Sequence, residues 1–108
     1  MAPTRFKVRW SGVAESRLWK IVAKIGQETP LRAQSFANRI LKVSSTLRVS
    51  PYRCPLLFED PSYRFLLIKK FRLVFRIAES SNGDEAIVWI VAILYPYEQF
   101  TQTRFFHS

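Results

Sequence analysis

Between Tyr63 and Ile77 the chain reads YRFLLIKKFRLVFRI, with five cations, no acid and apolar residues at most other positions. Cations at that density, fixed on β-strands, engage phosphate or a carboxylate-rich partner. Other residues able to do chemistry are few. Cys54 stands alone between Arg53 and Pro55, and the only histidine, His107, lies near the C-terminal end. A thiolate nucleophile needs a well-positioned base, which a histidine in the ragged C-terminal tail is not expected to supply. One Cys and one His also fall short of an ordinary zinc set, so no metal is expected. With 3 Gly in the chain there is nothing like a phosphate-cradling loop or dinucleotide turn, and no cofactor is expected. Catalytic residues stay unassigned at this level.

The elements that must position these cations follow from composition and periodicity. At 108 residues with 48% hydrophobic content, the chain suits one domain, with a core over about 5–100 and a tail over 101–108. Its formal charge of +9, from 17 Lys+Arg against 8 Asp+Glu, predicts attraction to polyanions. A lone cysteine suits a reducing compartment. The first residues show no apolar signal core. The apolar run Ala86 to Tyr95 falls short of the roughly 20 residues a membrane-spanning helix needs. A cytoplasmic protein without a membrane partner is expected.

Arg5 to Trp10 alternates strictly, placing Phe6, Val8 and Trp10 on one face and Arg5, Lys7 and Arg9 on the other, which predicts a half-buried strand. Ser11 offers an N-cap to a helix with its apolar stripe through Ala14, Leu18, Ile21 and Ile25. Thr29-Pro30, a capping hydroxyl followed by Pro at the first helical position, restarts a second helix to about Leu47, expected to bury Leu31, Phe36, Ile40, Val43 and Leu47. Arg17, Lys20, Lys24, Arg32, Arg39 and Lys42 fall mostly off these stripes, on solvated faces. A Pro-rich loop from Arg48 to Ser62 leads to three strands near Tyr63–Ile68, Phe71–Ala78 and Glu85–Tyr95. Lys69-Lys70 and Ser80-Ser81-Asn82-Gly83 form the turns between them. The order is β-α-α-β-β-β: an α+β fold with an antiparallel helical hairpin on one face of a small, mostly antiparallel sheet.

Period-two arithmetic gives Phe71, Leu73, Phe75 and Ile77 to one face of the third strand and Arg72, Val74 and Arg76 to the other. Unpaired arginines are not left in a core, so Arg72 and Arg76 are expected to face away from the helices, joined by Arg64 of the preceding strand and by Lys7 and Arg9 of the first. Arg64, Arg72 and Arg76, with Lys69 and Lys70 in the turn, make the expected basic binding face.

The element order, the opening RFKVRWSGVAESRL, the restart at Thr29-Pro30 and the strand Phe71-Arg72-Leu73-Val74-Phe75 together resemble the RelE/ParE superfamily of bacterial toxins, over residues 5 to 100. The family's strand reads Tyr-Arg-Leu-(Val/Ile)-Tyr; here both tyrosines are Phe. The resemblance implies a growth-arresting toxin of a type II toxin–antitoxin pair, neutralised by an acidic antitoxin encoded nearby. One branch of the family cuts mRNA on the ribosome; the other poisons DNA gyrase and is not itself an enzyme. For the ribonuclease branch, Arg64 and Arg72 resemble two strand cations, but Leu66 stands where a further Lys belongs. After the last strand the chain reads Tyr95-Pro96-Tyr97-Glu98-Gln99-Phe100 where that branch carries an Arg. Tyr95, Tyr97 and Arg104 are left as candidate C-terminal functional residues. The resemblance thus puts the gyrase-directed reading first and the ribosome-dependent mRNA endoribonuclease second. A third reading is a non-toxic nucleic-acid-binding module, with bases stacking on Trp10, Trp19, Trp89 and the tyrosines, although Trp10 and Trp89 occupy apolar strand positions that suit a core.

Overall fold

The computed structural model describes residues 5–79 and 86–101. The expected Ser80 to Gly83 turn, Arg104 and His107 lie outside the described residues. The observed elements are β1 (Phe6–Trp10), α1 (Gly12–Glu28), α2 (Pro30–Ser45), β2 (Arg64–Ile68), β3 (Phe71–Glu79) and β4 (Ala86–Leu94), with short 3-10 turns at Thr46–Arg48 and Pro51–Arg53. The four strands make one sheet in the order β1-β4-β3-β2. The pairs β2/β3 and β3/β4 are antiparallel, while β1 runs parallel to β4. The sheet is therefore mixed, because the helical hairpin carries the chain across one face before it returns.

Ser11 caps α1, its hydroxyl accepting from the Ala14 N–H at 3.1 Å. Thr29 is the single residue between the helices. Its N–H donates to Ile25 O at 3.0 Å and its carbonyl accepts from Ala33 N at 3.1 Å, so one residue closes α1 and opens α2. Its hydroxyl makes no capping bond, and Pro30 alone marks the restart. The buried stripe of α2 runs through Ala33, Phe36, Ala37, Ile40 and Ser44. Leu31, expected in that stripe, is 82% exposed. At about 100° per residue, the nine steps to Ile40 put Leu31 on the opposite side of the helix.

Two apolar layers sandwich the sheet. The larger joins Leu18, Ile21, Phe36 and Ile40 of the helices to Leu73, Phe75, Val88, Ile90 and Ile93 of the strands. On the opposite face Val74, Val91, Ala92 and Leu94 pack with Leu57 of the Pro-rich loop, with Tyr63, which lies just before β2, and with Phe100 beyond β4. Burial on both sides explains why β4 is apolar throughout. Val74 pairs with Ala92 and Phe75 with Ile90, leaving Val91 as an extra residue. That bulge lets Val91 and Ala92 both enter the second layer. The loop also covers part of the free edge of β2 through a Leu56–Arg64 bridge and a bond from Phe65 N to Pro55 O at 3.1 Å.

Ile40 is fully buried and Leu31 projects into water. Ile40→Ala should cost about 2–5 kcal/mol in urea unfolding, and Leu31→Ala no more than about 0.5 kcal/mol. Comparable losses at the two positions would contradict this orientation of α2.

Candidate functional site

The structure divides the expected basic face into parts with different duties. Arg72 leaves β3 on the face away from the helices, as its strand parity requires. It is not a free cation there. Its guanidinium makes a two-pronged pair with Glu59, at 2.8 Å to Oε1 and 2.7 Å to Oε2, and also donates to the Glu98 carbonyl at 2.7 Å. Glu59 accepts from the Phe100 N–H at 3.1 Å as well. The Glu98 carboxylate, largely buried, takes Arg17 of α1 and the Tyr95 N–H, while Arg17 Nε reaches Ile93 O at 2.7 Å. Arg17, assigned above to a solvated face, is thus part of a four-residue ionic network. Glu59 and Glu98 were its missing half; two acids within apolar surroundings in a +9 chain were the available signal.

Arg64 does not share a face with Arg72. It opposes Phe75 across the β2/β3 ladder, on the helix side of the sheet. Because β2 is an edge strand, the side chain escapes the core at the rim and donates to Cys54 O at 2.7 Å and Tyr52 O at 3.3 Å, lying 5.2 Å from the Tyr52 ring centroid. Tyr52 in turn donates to Glu79, a bond that holds its phenol above the ordinary value. Cys54 is buried, and burial pushes its thiol upward, away from a reactive thiolate.

Arg76 remains exposed on the outer face. In register with it across three strands lie Trp89 of β4 and Arg9 of β1, also exposed. This row, two guanidinium groups flanking a half-buried indole, is what survives of the expected cationic sheet surface.

Lys69 and Lys70 belong elsewhere. Lys69 takes the left-handed conformation, φ 55°, that tightens the β2–β3 turn. Antiparallel pairing of Arg72 with Leu94 brings that turn beside the chain leaving β4. Lys69, Lys70, Tyr95 and Tyr97 therefore line one groove of about 930 Å³, whose far wall is Lys24 of α1 and Arg32 of α2. Glu28 is the single carboxylate among its lining residues. An aromatic ladder runs from the core into this groove: Phe36 to Phe71 at 5.1 Å, Phe71 to Tyr95 at 5.2 Å, and Tyr95 to Tyr97 at 5.8 Å with rings only 17° apart. The turn presenting Tyr97 is closed by Glu98 N donating to Tyr95 O at 3.0 Å. Helical periodicity puts Lys24 and Arg32 on solvated faces as well, and only the tertiary fold turns them toward the lysine turn. Among the described residues no group of three His, Cys, Asp or Glu is placed to hold a metal, and no helix is long and apolar enough to cross a membrane. The arrangement can bind anions and stack planar groups.

Residues 8–99 match the family model described as ParE toxin of type II toxin–antitoxin system, parDE. No curated protein matches the chain. Among solved structures, the chain resembles one from the chromosomal ParDE TA system of P. aeruginosa, with a TM-score of 0.72 and 18% identity over 85% of this chain and 97% of that one. It also resembles the YoeB/ParE toxin from Agrobacterium tumefaciens, with a TM-score of 0.59 and 17% identity over 85% of this chain and all of that one. At these identities the structural likeness speaks for the fold.

The ionic network has a pH signature. Hydrogen bonds from Arg72 above all, aided by the Phe100 N–H and opposed by burial, hold Glu59 at about 2 against an ordinary 4.5. A depressed carboxylate stabilises the fold fully above its unfolded value, and that contribution disappears as pH falls from about 4.5 toward about 2. Glu59→Gln should flatten this acid limb in thermal unfolding measured from pH 6 to about 2. Arg72→Met should cost about 3–5 kcal/mol at pH 7 by stranding the carboxylate, and adding Glu59→Leu should recover part of the loss. An acid limb identical in wild type and Glu59→Gln would refute the assignment.

Proposed function

This chain belongs to the family of ParE toxins of type II toxin–antitoxin systems, and we propose that it arrests growth by binding and poisoning DNA gyrase rather than by cutting RNA. The observation that carries this reading is the fate of Arg64 and Arg72. In-line cleavage of a phosphodiester needs cations converging on one phosphorane, together with a group to move protons. Here the two arginines leave opposite faces of the sheet, one engaged by backbone carbonyls and the other by Glu59. Arg72 cannot reach a scissile phosphate without giving up Glu59, and Arg64, bonded through Nη1, projects from the other face of the sheet. What the molecule offers instead is rigid exposed surface, suited to holding a macromolecular partner. A target within the cytoplasm agrees with the single, buried, unbridged cysteine.

The test uses the purified chain in two parallel assays. With gyrase, ATP and plasmid, linear DNA that depends on gyrase should accumulate. In a translating extract mapped by primer extension, ribosome-bound message should stay intact. Codon-specific cuts in the message without gyrase-dependent linear DNA would reverse the order of the two readings.

Membership of the family implies a cognate antitoxin. We place its acidic segment across the outer sheet face, along the row Arg9–Trp89–Arg76, where two exposed guanidinium groups flank an indole and neither is ion-paired to a described residue. Of the cations first expected there, Arg76 keeps that role, while Arg64 and Arg72 are structural. The double variant Arg9→Glu/Arg76→Glu should weaken antitoxin binding about tenfold or more at low salt and flatten its salt dependence. Unchanged affinity and salt slope would exclude this face.

A further inference from the structure

We propose that the groove between the helical hairpin and the β2–β3 turn binds a single polynucleotide strand, with phosphates on Lys24, Arg32, Lys69 and Lys70 and a base stacked on Tyr97. The site is separate from the outer sheet face and does not depend on whether gyrase is the target. Three observations converge on it.

The first is charge. The groove gathers four cations against the lone Glu28, and among the described residues none of the four takes part in an ion pair. Lys24 and Lys70 lie 6.0 Å from the Tyr95 and Phe71 ring centroids, contacts that leave their charge unneutralised, whereas Arg17 and Arg72 meet carboxylates and Arg64 meets backbone carbonyls. Cations left uncompensated around one concavity create a positive potential that a polyanion would neutralise.

The second is the aromatic ladder. Tyr97 is 83% exposed, yet it lies nearly parallel to Tyr95, which packs in turn on buried Phe71. One face of the Tyr97 ring is thereby fixed from beneath and the other is open to solvent. Glu98 and Arg17 hold the turn from below, so little ordering would accompany stacking of a base. Base–aromatic stacking is sequence-tolerant because every base has a π-face.

The third is shape. A groove of about 930 Å³ is open enough to admit a strand yet large enough for more than one nucleotide. The carboxylates of an acidic peptide would use the lysines but stack nothing on the Tyr97 face, which such a peptide would fill only where an aromatic residue fell in register, whereas every nucleotide carries a base beside its phosphate. Repeated phosphates with an interposed base satisfy both features.

The experiment is fluorescence anisotropy of the full chain with labelled oligothymidine and oligouridine of about ten nucleotides, within the span that single-strand sites cover. Affinity should fall linearly on logarithmic axes as salt rises. Lys69→Glu/Lys70→Glu should weaken binding about tenfold or more and flatten that slope. Tyr97→Ala should weaken it about tenfold while leaving the slope intact, and an abasic strand should bind wild type and Tyr97→Ala alike. Arg9→Glu/Arg76→Glu should bind as wild type does, and thermal unfolding of each variant checks that it is folded. Binding of either polymer on this pattern establishes the site, and their ratio identifies the preferred polynucleotide. No binding, equal sensitivity to the Arg9 and Arg76 changes, or a glutamate-rich peptide of equal charge competing fully with no effect of Tyr97→Ala would each overturn the proposal.

Discussion

Two carboxylates held close beneath the end of the sheet, Glu59 and Glu98, require guanidinium partners, and much of the molecule is arranged to supply them. A buried charge left unpaired costs several kcal/mol, roughly half the stability of a small domain. Arg72 answers from β3 and Arg17 from α1, each also capping a backbone carbonyl. The network thereby ties α1, β3, the Pro-rich loop and the chain beyond β4 into one unit. Three consequences follow from that tie. The second apolar layer gains its cover, because Leu57 and Phe100 come with the segments that Glu59 anchors. β4 becomes buried on both faces. The turn from Tyr95 to Glu98 is fixed where Tyr97 faces the lysine turn.

The same requirement sorts the positive charge. A formal +9 implies a uniformly cationic surface, but the fold spends some arginines on structure and leaves others on view. Arg17, Arg64 and Arg72 are each hydrogen-bonded to groups within the fold. Arg9 and Arg76 flank Trp89 on the outer face, while Lys24, Arg32, Lys69 and Lys70 surround the groove. Two exposed basic surfaces on different sides of one small domain suit a protein that must be held by an antitoxin and also engage something else. A single merged surface would make those two events compete for the same cations.

Local features were legible in the sequence. The alternation of β1, the Ser11 cap, the Thr29-Pro30 restart and the β2–β3 turn each depend on residues within a few positions of one another. Placement of the arginines was less so. The rule that keeps cations out of a core holds for Arg72 and Arg76 but misplaces Arg64, because an edge strand offers a way out of the core on either face. The partners of Arg17 and Arg72 lie 81 and 13 residues away, and neither separation leaves a trace in periodicity. The groove occupies a middle case. Lys69-Lys70 and Tyr95 are 25 residues apart, yet antiparallel pairing of β3 with β4 obliges the start of one to meet the end of the other.

The two phenylalanines of β3 now have a physical meaning. Phe71 and Phe75 stand where the family pattern has tyrosines, a difference that looks like the loss of two hydroxyls from a working surface. Both side chains face the helices, with Phe75 fully enclosed and Phe71 only 5% exposed. A hydroxyl at position 75 would need a buried acceptor, and an unsatisfied one costs about 1–3 kcal/mol. Phenylalanine avoids that cost while keeping the ring. At position 71 the ring itself is the useful part, since it carries Tyr95 and through it Tyr97. The change at β3 therefore removes nothing from the outer face, and it leaves the base of the aromatic ladder apolar and rigid. The polar ends of the ladder are confined to the groove, where water or a ligand can meet them.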